Sequence, residues 1–313
     1  MQATQVTARF SEATEYARAA HAGQLRKGTR IPYISHPLAV ASLVLSCGGD
    51  EDQAIAALLH DVIEDCGAEH ADAIRAKFGD TVADIVLACT DGTAERKAKP
   101  SDPEARRRDW WVRKLEYLEN LKRKPDATLL VSGCDKLDNA LAIVADLENP
   151  AVGLVVFDRF TAGRDGTLRY YHSLAQLLAR RQVAMSARLE AAVARMHALA
   201  GATEPVELDH GVYRLRIWDN FHYMDETEAY ITGWFLSAEE AIAEAKRRVL
   251  ADLPETGATA EERFDHYTSF GEDPSIIGTP QVSFSAWTFA KEEAARLAGE
   301  PQVSILPAQG GEA

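Results

Sequence analysis

The stretch Ala54-Ile-Ala-Ala-Leu-Leu-His-Asp-Val-Ile-Glu-Asp65 sets four side chains that can bind metal or move protons, His60, Asp61, Glu64 and Asp65, into an otherwise apolar run. A neutral imidazole beside a carboxylate is half of a divalent-metal site, and two adjacent residues supply too few donors, so further ligands must come from elsewhere in the chain. On one continuous helix Glu64 lies a turn above His60 and Asp65 a turn above Asp61, which puts both pairs on adjoining strips of one face. Ala54, Ala57, Leu58 and Val62 recur with helical period and face a core. The same local pattern also describes a lone, partly buried histidine beside a solvated acidic face, because short motifs match by chance.

Two more donors stand at suitable places. His36, 24 residues before His60, ends a Gly- and Pro-containing loop (Gln24 to Pro37) that also carries Arg26, Lys27 and Arg30. Pro37 suits the first turn of the helix that follows. Asp135 lies next to the apolar stripe Leu130, Cys134, Leu137, Leu141 and Val144 of a helix expected over Ala127 to Leu147, and Asn139, one turn on, points the same way. Two histidines and two aspartates (His36, His60, Asp61, Asp135), completed by water or phosphate oxygens, suit Mn²⁺ better than a structural Zn²⁺.

The elements that must position these residues read as helices. Phe10 to Ala20 is amphipathic and ends at Gly23; a second helix runs from Pro37 to Cys47 and stops at Gly48-Gly49; a third carries the His-Asp pair to Gly67. Shorter helices over Ala71 to Phe78 and Thr81 to Thr90 follow. Between Arg96 and Lys114 cations gather (Arg96, Lys97, Lys99, Arg106, Arg107, Arg108, Arg113, Lys114) with Trp110 and Trp111 among them; this reads as a solvated helix face or as the approach for a polyanion. Gly201-Ala-Thr-Glu-Pro205 marks a domain boundary, giving domains 1–204 and 205–313. Beyond it the period changes to two: Tyr213 to Trp218, Ala229 to Phe235 and Val282 to Trp287 are strand candidates, the first two joined by a turn at Asp219-Asn220. Ser237 caps a helix running to Leu253, and a last helix lies around Lys291 to Leu297. The expected class is mainly α, a helical domain followed by a small α+β domain.

Charge separates the two parts. From Pro205 onward there are 8 Lys+Arg against 20 Asp+Glu, and before it 26 against 28. An acidic C-terminal part excludes DNA or RNA as its partner. The four cysteines show no C-x-x-C spacing, which excludes a zinc knuckle or a disulfide framework and suits reduced thiols. No apolar run approaches the ~20 residues that span a bilayer, so the expectation is no membrane and a cytoplasmic location.

The motifs HAGQLRKGTRIPYISHP (His21 to Pro37), AALLHDVIED (Ala56 to Asp65), Phe78-Gly79, Thr90-Asp91 and CDKLDN (Cys134 to Asn139) resemble the hydrolase domain of RelA/SpoT homologues, in the form of the small stand-alone alarmone hydrolases. The likeness covers about residues 5–200 and none of the C-terminal part. It implies an all-helical HD-domain phosphohydrolase fold in which His36, His60, Asp61 and Asp135 hold one Mn²⁺ and Glu64 and Asp65 activate water. It further implies that Arg26 stacks on a purine, Lys27 contacts phosphate or ribose, Asn139 contacts the nucleoside and Tyr171 lies near the nucleotide. The implied reaction is hydrolysis of the 3′-pyrophosphate of ppGpp or pppGpp, with the alarmone as the small-molecule partner. Two other readings stay open, an HD phosphohydrolase for adenosine alarmones or NADPH and a non-catalytic alarmone sensor; homo-oligomerisation also stays open. One departure stands out: Asp138 occupies the place where the family reads His, which is expected to alter packing or substrate contacts beside Asn139. Ser132-Gly133 also replaces larger residues.

Overall fold

The computed structural model describes residues 4–90, 102–202, 204–222, 225–254 and 259–299. Asp91 of the Thr90-Asp91 motif and Arg96, Lys97 and Lys99 of the cation-rich stretch lie outside the described residues. The chain divides into two compact units, Met1–Leu208 and Asp209–Ala313. Leu208 closes the first: its side chain is fully buried and its N–H donates to Ser173 Oγ at 2.7 Å.

The first unit is helical: α1 (Ala8–Ala20), α2 (Ser35–Ser46), α3 (Glu51–Leu59), α4 (Val62–Cys66), α5 (His70–Phe78), α6 (Asp80–Cys89), α7 (Pro103–Leu121), α8 (Asp126–Glu148), a 3₁₀ segment (Gly153–Arg159), α9 (Gly163–Arg180) and α10 (Ser186–Leu199). Helix α3 is its axis. Asp50 caps it reciprocally, its Oδ1 accepting from Gln53 N (2.8 Å) while the Gln53 side chain accepts from Asp50 N (2.9 Å). Every residue from Ala54 to Leu59 has no exposed surface, so α3 is apolar all round instead of along a single face. It is surrounded by α1, α2, α6 and α8. Burial of Ile55, Leu58 and Leu59 contributes about 1.5–3 kcal/mol each.

The expected single helix through His60 and Asp61 is broken there. The His60 imidazole donates from Nδ1 to the Ala57 carbonyl (2.7 Å), the group that the Asp61 N–H would use in an unbroken helix. The chain turns over His60 and Asp61 and resumes as the one-turn α4, anchored by the buried Val62 and Ile63. Glu64 and Asp65 therefore ride on a separate segment, although the Asp65 N–H still reaches the Asp61 carbonyl (2.9 Å).

Helix α8 crosses the same core, packed on α2, α3, α6 and α10. Gly133 lets it approach closely, because a Cβ there would stand 2.7 Å from Met185 Sδ. The loop from Gln24 to Tyr33 folds back on itself through Arg26 N to the Ile31 carbonyl (2.9 Å) and Tyr33 N to the Gln24 carbonyl (2.9 Å). Gly28 turns it with φ +73°.

The second unit is a three-stranded antiparallel sheet, β1 (Tyr213–Asp219), β2 (Tyr230–Phe235) and β3 (Glu272–Gly278), in the order β2-β1-β3, with α11 (Ala238–Ala251), α12 (Ala260–Phe270) and α13 (Ala286–Ala298). Tyr213, Leu215 and Ile217 alternate inward against Ala241 and Ala245 of α11. Three sequence expectations change here. The link from β1 to β2 runs from Asn220 to Ala229, starting with a 3₁₀ turn, in place of a tight turn. The third strand is Glu272–Gly278 and not Val282 to Trp287, whose Val282 and Phe284 pack on the core outside any strand before Ser285 caps α13. The last helix begins earlier, at Ala286. No helix among the described residues is long and apolar enough to cross a membrane.

Candidate metal centre and nucleotide cleft

Three helix ends and the middle of α8 bring the predicted ligands together. His36 sits in the first turn of α2, His60 ends α3, Asp61 precedes α4 and Asp135 projects from α8. Ligating atoms of His36, His60 and Asp135 all lie within 4.8 Å of one another, and all three residues are buried. His36 Nε2 is 3.2 Å from Asp135 Oδ1 and 3.6 Å from Asp61 Oδ2. His60 Nε2 is 3.8 Å from Asp135 Oδ1 and 3.0 Å from Asp61 Oδ2. Donors bound to one ion at about 2.0–2.2 Å stand roughly 3.0–3.5 Å apart, so this spacing suits a shared cation.

The partners of the outer nitrogens fix how the rings point. His36 Nδ1 donates to Asp138 Oδ2 at 2.6 Å and His60 Nδ1 to the Ala57 carbonyl, leaving both Nε2 lone pairs turned inward. His60 Nε2 is buried with no hydrogen-bond partner, which is costly unless something else binds it. A buried orphan nitrogen facing two carboxylates fits a divalent metal. Tyr33 Oη donates to Asp61 Oδ2, and Asn139 Nδ2 (2.6 Å) and Lys136 Nζ (2.7 Å) hold the two oxygens of Asp135.

Electrostatics follow the same grouping. Burial pushes the His36 and His60 pKa down, but the facing aspartates outweigh it and hold both above the ordinary histidine value. Burial pushes Asp61 and Asp135 up, and the facing histidines, with Lys136 beside Asp135, outweigh it and hold both below the carboxylate range.

A cleft of about 580 Å³ opens beside the centre. Arg26, Lys27, Glu64, Asp65, Asn139 and Tyr171 all line it, as do His36, Asp61 and Asp135, so of the ten residues to which the resemblance gives a role only the buried His60 is absent from its wall. Asp65 is exposed and accepts from Gln24 Nε2 at 3.0 Å. Arg26 is clamped by Asp138 Oδ2 (3.1 Å) and Asn139 Oδ1 (3.0 Å). Burial, with Asp135 and Asp138 nearby, raises the Tyr171 phenol, which stays protonated as a donor.

Sequence reasoning missed Tyr33, Lys136 and Arg159 on this wall, and Lys114 of the cation cluster lines it as well. Lys114 lies over the Tyr170 ring (4.9 Å) and Arg159 pairs with Asp146 (2.6 Å). Lys136 was adjacent to a candidate ligand, and Tyr33 belonged to a quoted motif; those were the available signals. Of the tryptophans, Trp110 packs edge-to-face on Trp111 and Tyr170 while its side lines the cleft, and Arg113 is tied to Asp109. Arg30 is exposed and outside the cleft wall.

A helical unit in which the His60-Asp61 pair at the junction of α3 and α4 meets His36 of α2 and Asp135 of α8 defines the class: the chain belongs to the HD-domain family, which matches residues 13–168, and it is a metal-dependent phosphohydrolase. Within that family it is similar to guanosine-3′,5′-bis(diphosphate) 3′-pyrophosphohydrolase MESH1 of Drosophila melanogaster, 34% identical over 140 residues, which are 44% of this chain and 70% of the fly protein. It is also similar to the bifunctional (p)ppGpp synthase/hydrolase SpoT of Escherichia coli, 45% identical over 78 residues, 25% of this chain and 11% of that enzyme. The Haemophilus influenzae guanosine-3′,5′-bis(diphosphate) 3′-pyrophosphohydrolase is 47% identical over 70 residues, 22% of this chain and 10% of its own length. The chain thus spans only about a tenth of these bacterial relatives. A solved structure, a metazoan ortholog of SpoT that hydrolyzes ppGpp, superposes with a TM-score of 0.47 at 26% identity, covering 64% of this chain and all of that one.

Proposed function

We propose that the first unit hydrolyses the 3′-pyrophosphate of guanosine alarmones, releasing pyrophosphate and GDP or GTP, with Mn²⁺ held by His36, His60, Asp61 and Asp135. The observation that carries this reading is the convergence of two inward Nε2 atoms and two aspartate oxygens beside a cleft that presents Arg26, Lys27, Lys114 and Lys136. A nucleotide carrying two diphosphate groups needs such cations. When bound, the metal would supply Lewis-acid polarisation and lower the pKa of water.

The chain's own residues do the rest. Arg26, held flat by Asp138 and Asn139, offers its guanidinium face to the purine. Lys27 and Tyr171 contact phosphate or ribose as donors, and Asn139 spans Asp135 and Arg26. Glu64 and Asp65, on the short α4 at the cleft, orient the attacking water and accept its proton. Water adds to the phosphorus attached to the ribose 3′ oxygen, the 3′ O–P bond breaks, the 3′ oxygen takes a proton and pyrophosphate departs. The second unit, acidic and without a ligand cluster among its described residues, is assigned no part in this step.

The test is pyrophosphate release from ppGpp with Mn²⁺ present or chelated, run beside ppApp and NADPH. Mn²⁺-dependent turnover fastest on ppGpp is the expected result. Preference for either other nucleotide would reassign the substrate, and nucleotide binding without turnover would make the protein a sensor.

A further inference from the structure

The carboxylate of Asp138 does two things at once. Its Oδ2 accepts from His36 Nδ1 at 2.6 Å and from Arg26 Nη1 at 3.1 Å. Arg26 Nη2 continues to Asn139 Oδ1 (3.0 Å), Asn139 Nδ2 to Asp135 Oδ1 (2.6 Å), and that same oxygen returns to His36 Nε2 at 3.2 Å. Five side chains from the loop, α2 and α8 therefore close a ring that contains two metal-binding residues and the arginine offered to the base. The Arg26 and Asp138 side chains are each 18% exposed, so the contact is largely shielded from solvent and holds its geometry.

We propose that Asp138 is a positioning residue that joins nucleotide recognition to the metal centre, orienting the His36 ring through Nδ1 and the Arg26 guanidinium through Nη1. The proposal rests on the function given above for the role of Arg26, while the hold on His36 stands on the metal centre alone. A carboxylate accepts from the ring nitrogen and the guanidinium together because it carries several lone pairs and a full charge. A neutral amide at the same place offers one acceptor oxygen without that charge. An acceptor on the outer nitrogen of a ligating histidine sets the tautomer, and losing it typically weakens metal affinity about 10–100-fold.

The experiment measures Mn²⁺ affinity by chelator competition, and KM and kcat for ppGpp, in the full chain and in Asp138→Asn, Asp138→Ala, Arg26→Ala and the double variant Arg26→Ala/Asp138→Ala. Asp138→Ala should weaken Mn²⁺ by about 10–100-fold and raise KM. Arg26→Ala should raise KM with Mn²⁺ affinity close to that of the parent. In the Arg26→Ala background, Asp138→Ala should keep its effect on Mn²⁺ and lose its effect on KM. Asp138→Asn preserves shape, so it carries the same comparison, with smaller changes in the same directions, should the alanine variant not fold. Parental Mn²⁺ affinity in both Asp138 variants, or a KM increase of equal size with and without Arg26, would overturn the proposal. If the parent releases no pyrophosphate from ppGpp, the assigned function falls, and the chelator measurement still decides whether Asp138 holds His36.

Discussion

Replacing Gly133 by alanine tests the packing that carries Asp135, Asp138 and Asn139 into the site. Two opposed effects can be sized. Alanine is the better helix former by about 1 kcal/mol in a helix interior, and Gly133 lies inside α8. Against this, the added Cβ would stand 2.7 Å from Met185 Sδ, well inside the 3.4 Å at which ordinary contact begins, with Met185 Cγ at 3.4 Å and Leu178 Cδ1 at 3.5 Å closing the other sides. Met185 is fully buried, so its sulfur can give way only within the packed core. Overpacking of this kind costs about 1–3 kcal/mol, which leaves Gly133→Ala destabilising by up to ~2 kcal/mol once the helix gain is subtracted. For a unit of this size each kcal/mol lowers Tm by about 2–4 °C. The assay is thermal and urea unfolding of Gly133→Ala, Met185→Ala and the pair. Met185→Ala alone should cost about 2–5 kcal/mol through the cavity it leaves. In its background the obstacle is gone, and Gly133→Ala should change sign and stabilise by about 1 kcal/mol. If Gly133→Ala stabilises the parent by the same amount as it stabilises Met185→Ala, then α8 does not approach Met185 as described and the reasoning is wrong.

Three further outcomes are expected. Chelation should lower the Tm of the protein and Mn²⁺ restore it, by about 2.7 kcal/mol at a hundredfold excess over Kd; a melting curve indifferent to every divalent ion would count against the cluster of His36, His60 and Asp135. Tyr33→Phe removes the hydroxyl that donates to Asp61 and should weaken metal affinity by about tenfold or more, read by chelator competition, with the fold intact by circular dichroism. In the second unit, burial raises the Asp273 carboxyl against the opposing Trp287 indole. A raised folded-state pKa means stability that is complete below the unfolded value near ~4 and declines as pH rises through the folded value. Asp273→Asn should therefore melt higher than the parent at neutral pH and match it near pH ~4; an equal difference at both pH values would remove the ionisation argument.

Much of the centre was legible because its parts are local in sequence. His60 and Asp61 interrupt an apolar run, His36 precedes a helix-starting proline, and Asp135 abuts an apolar stripe. The helix break was not legible, because it depends on the His60 ring capturing the Ala57 carbonyl, a rotamer choice that periodicity does not encode. Lys136 and Tyr33 escaped notice for a similar reason: their roles come from where helices cross. Asp138 was visible as a departure, but its link to His36 spans 102 positions of chain and needs the fold. In the second unit, Val282, Phe284 and Ala286 alternate as a strand does, yet the edge beside β1 is filled by Glu272–Gly278. Pro274 interrupts the strand pattern of that segment, and at a sheet edge its missing N–H is tolerated. The capping box of Thr259 and Glu262 was a readable signal for α12 that periodicity alone passed over.

The elbow after Leu59 puts the acidic pair on a segment of its own, apart from the helix that ends at His60. With Val62 and Ile63 as its own pegs, α4 can be re-aimed by substitutions among its neighbours on α1 and α5 without disturbing the buried spine that carries His60. Under the proposed function, such substitutions would retune how Glu64 and Asp65 present water, and so which phosphoester is cut, with His60 left in place.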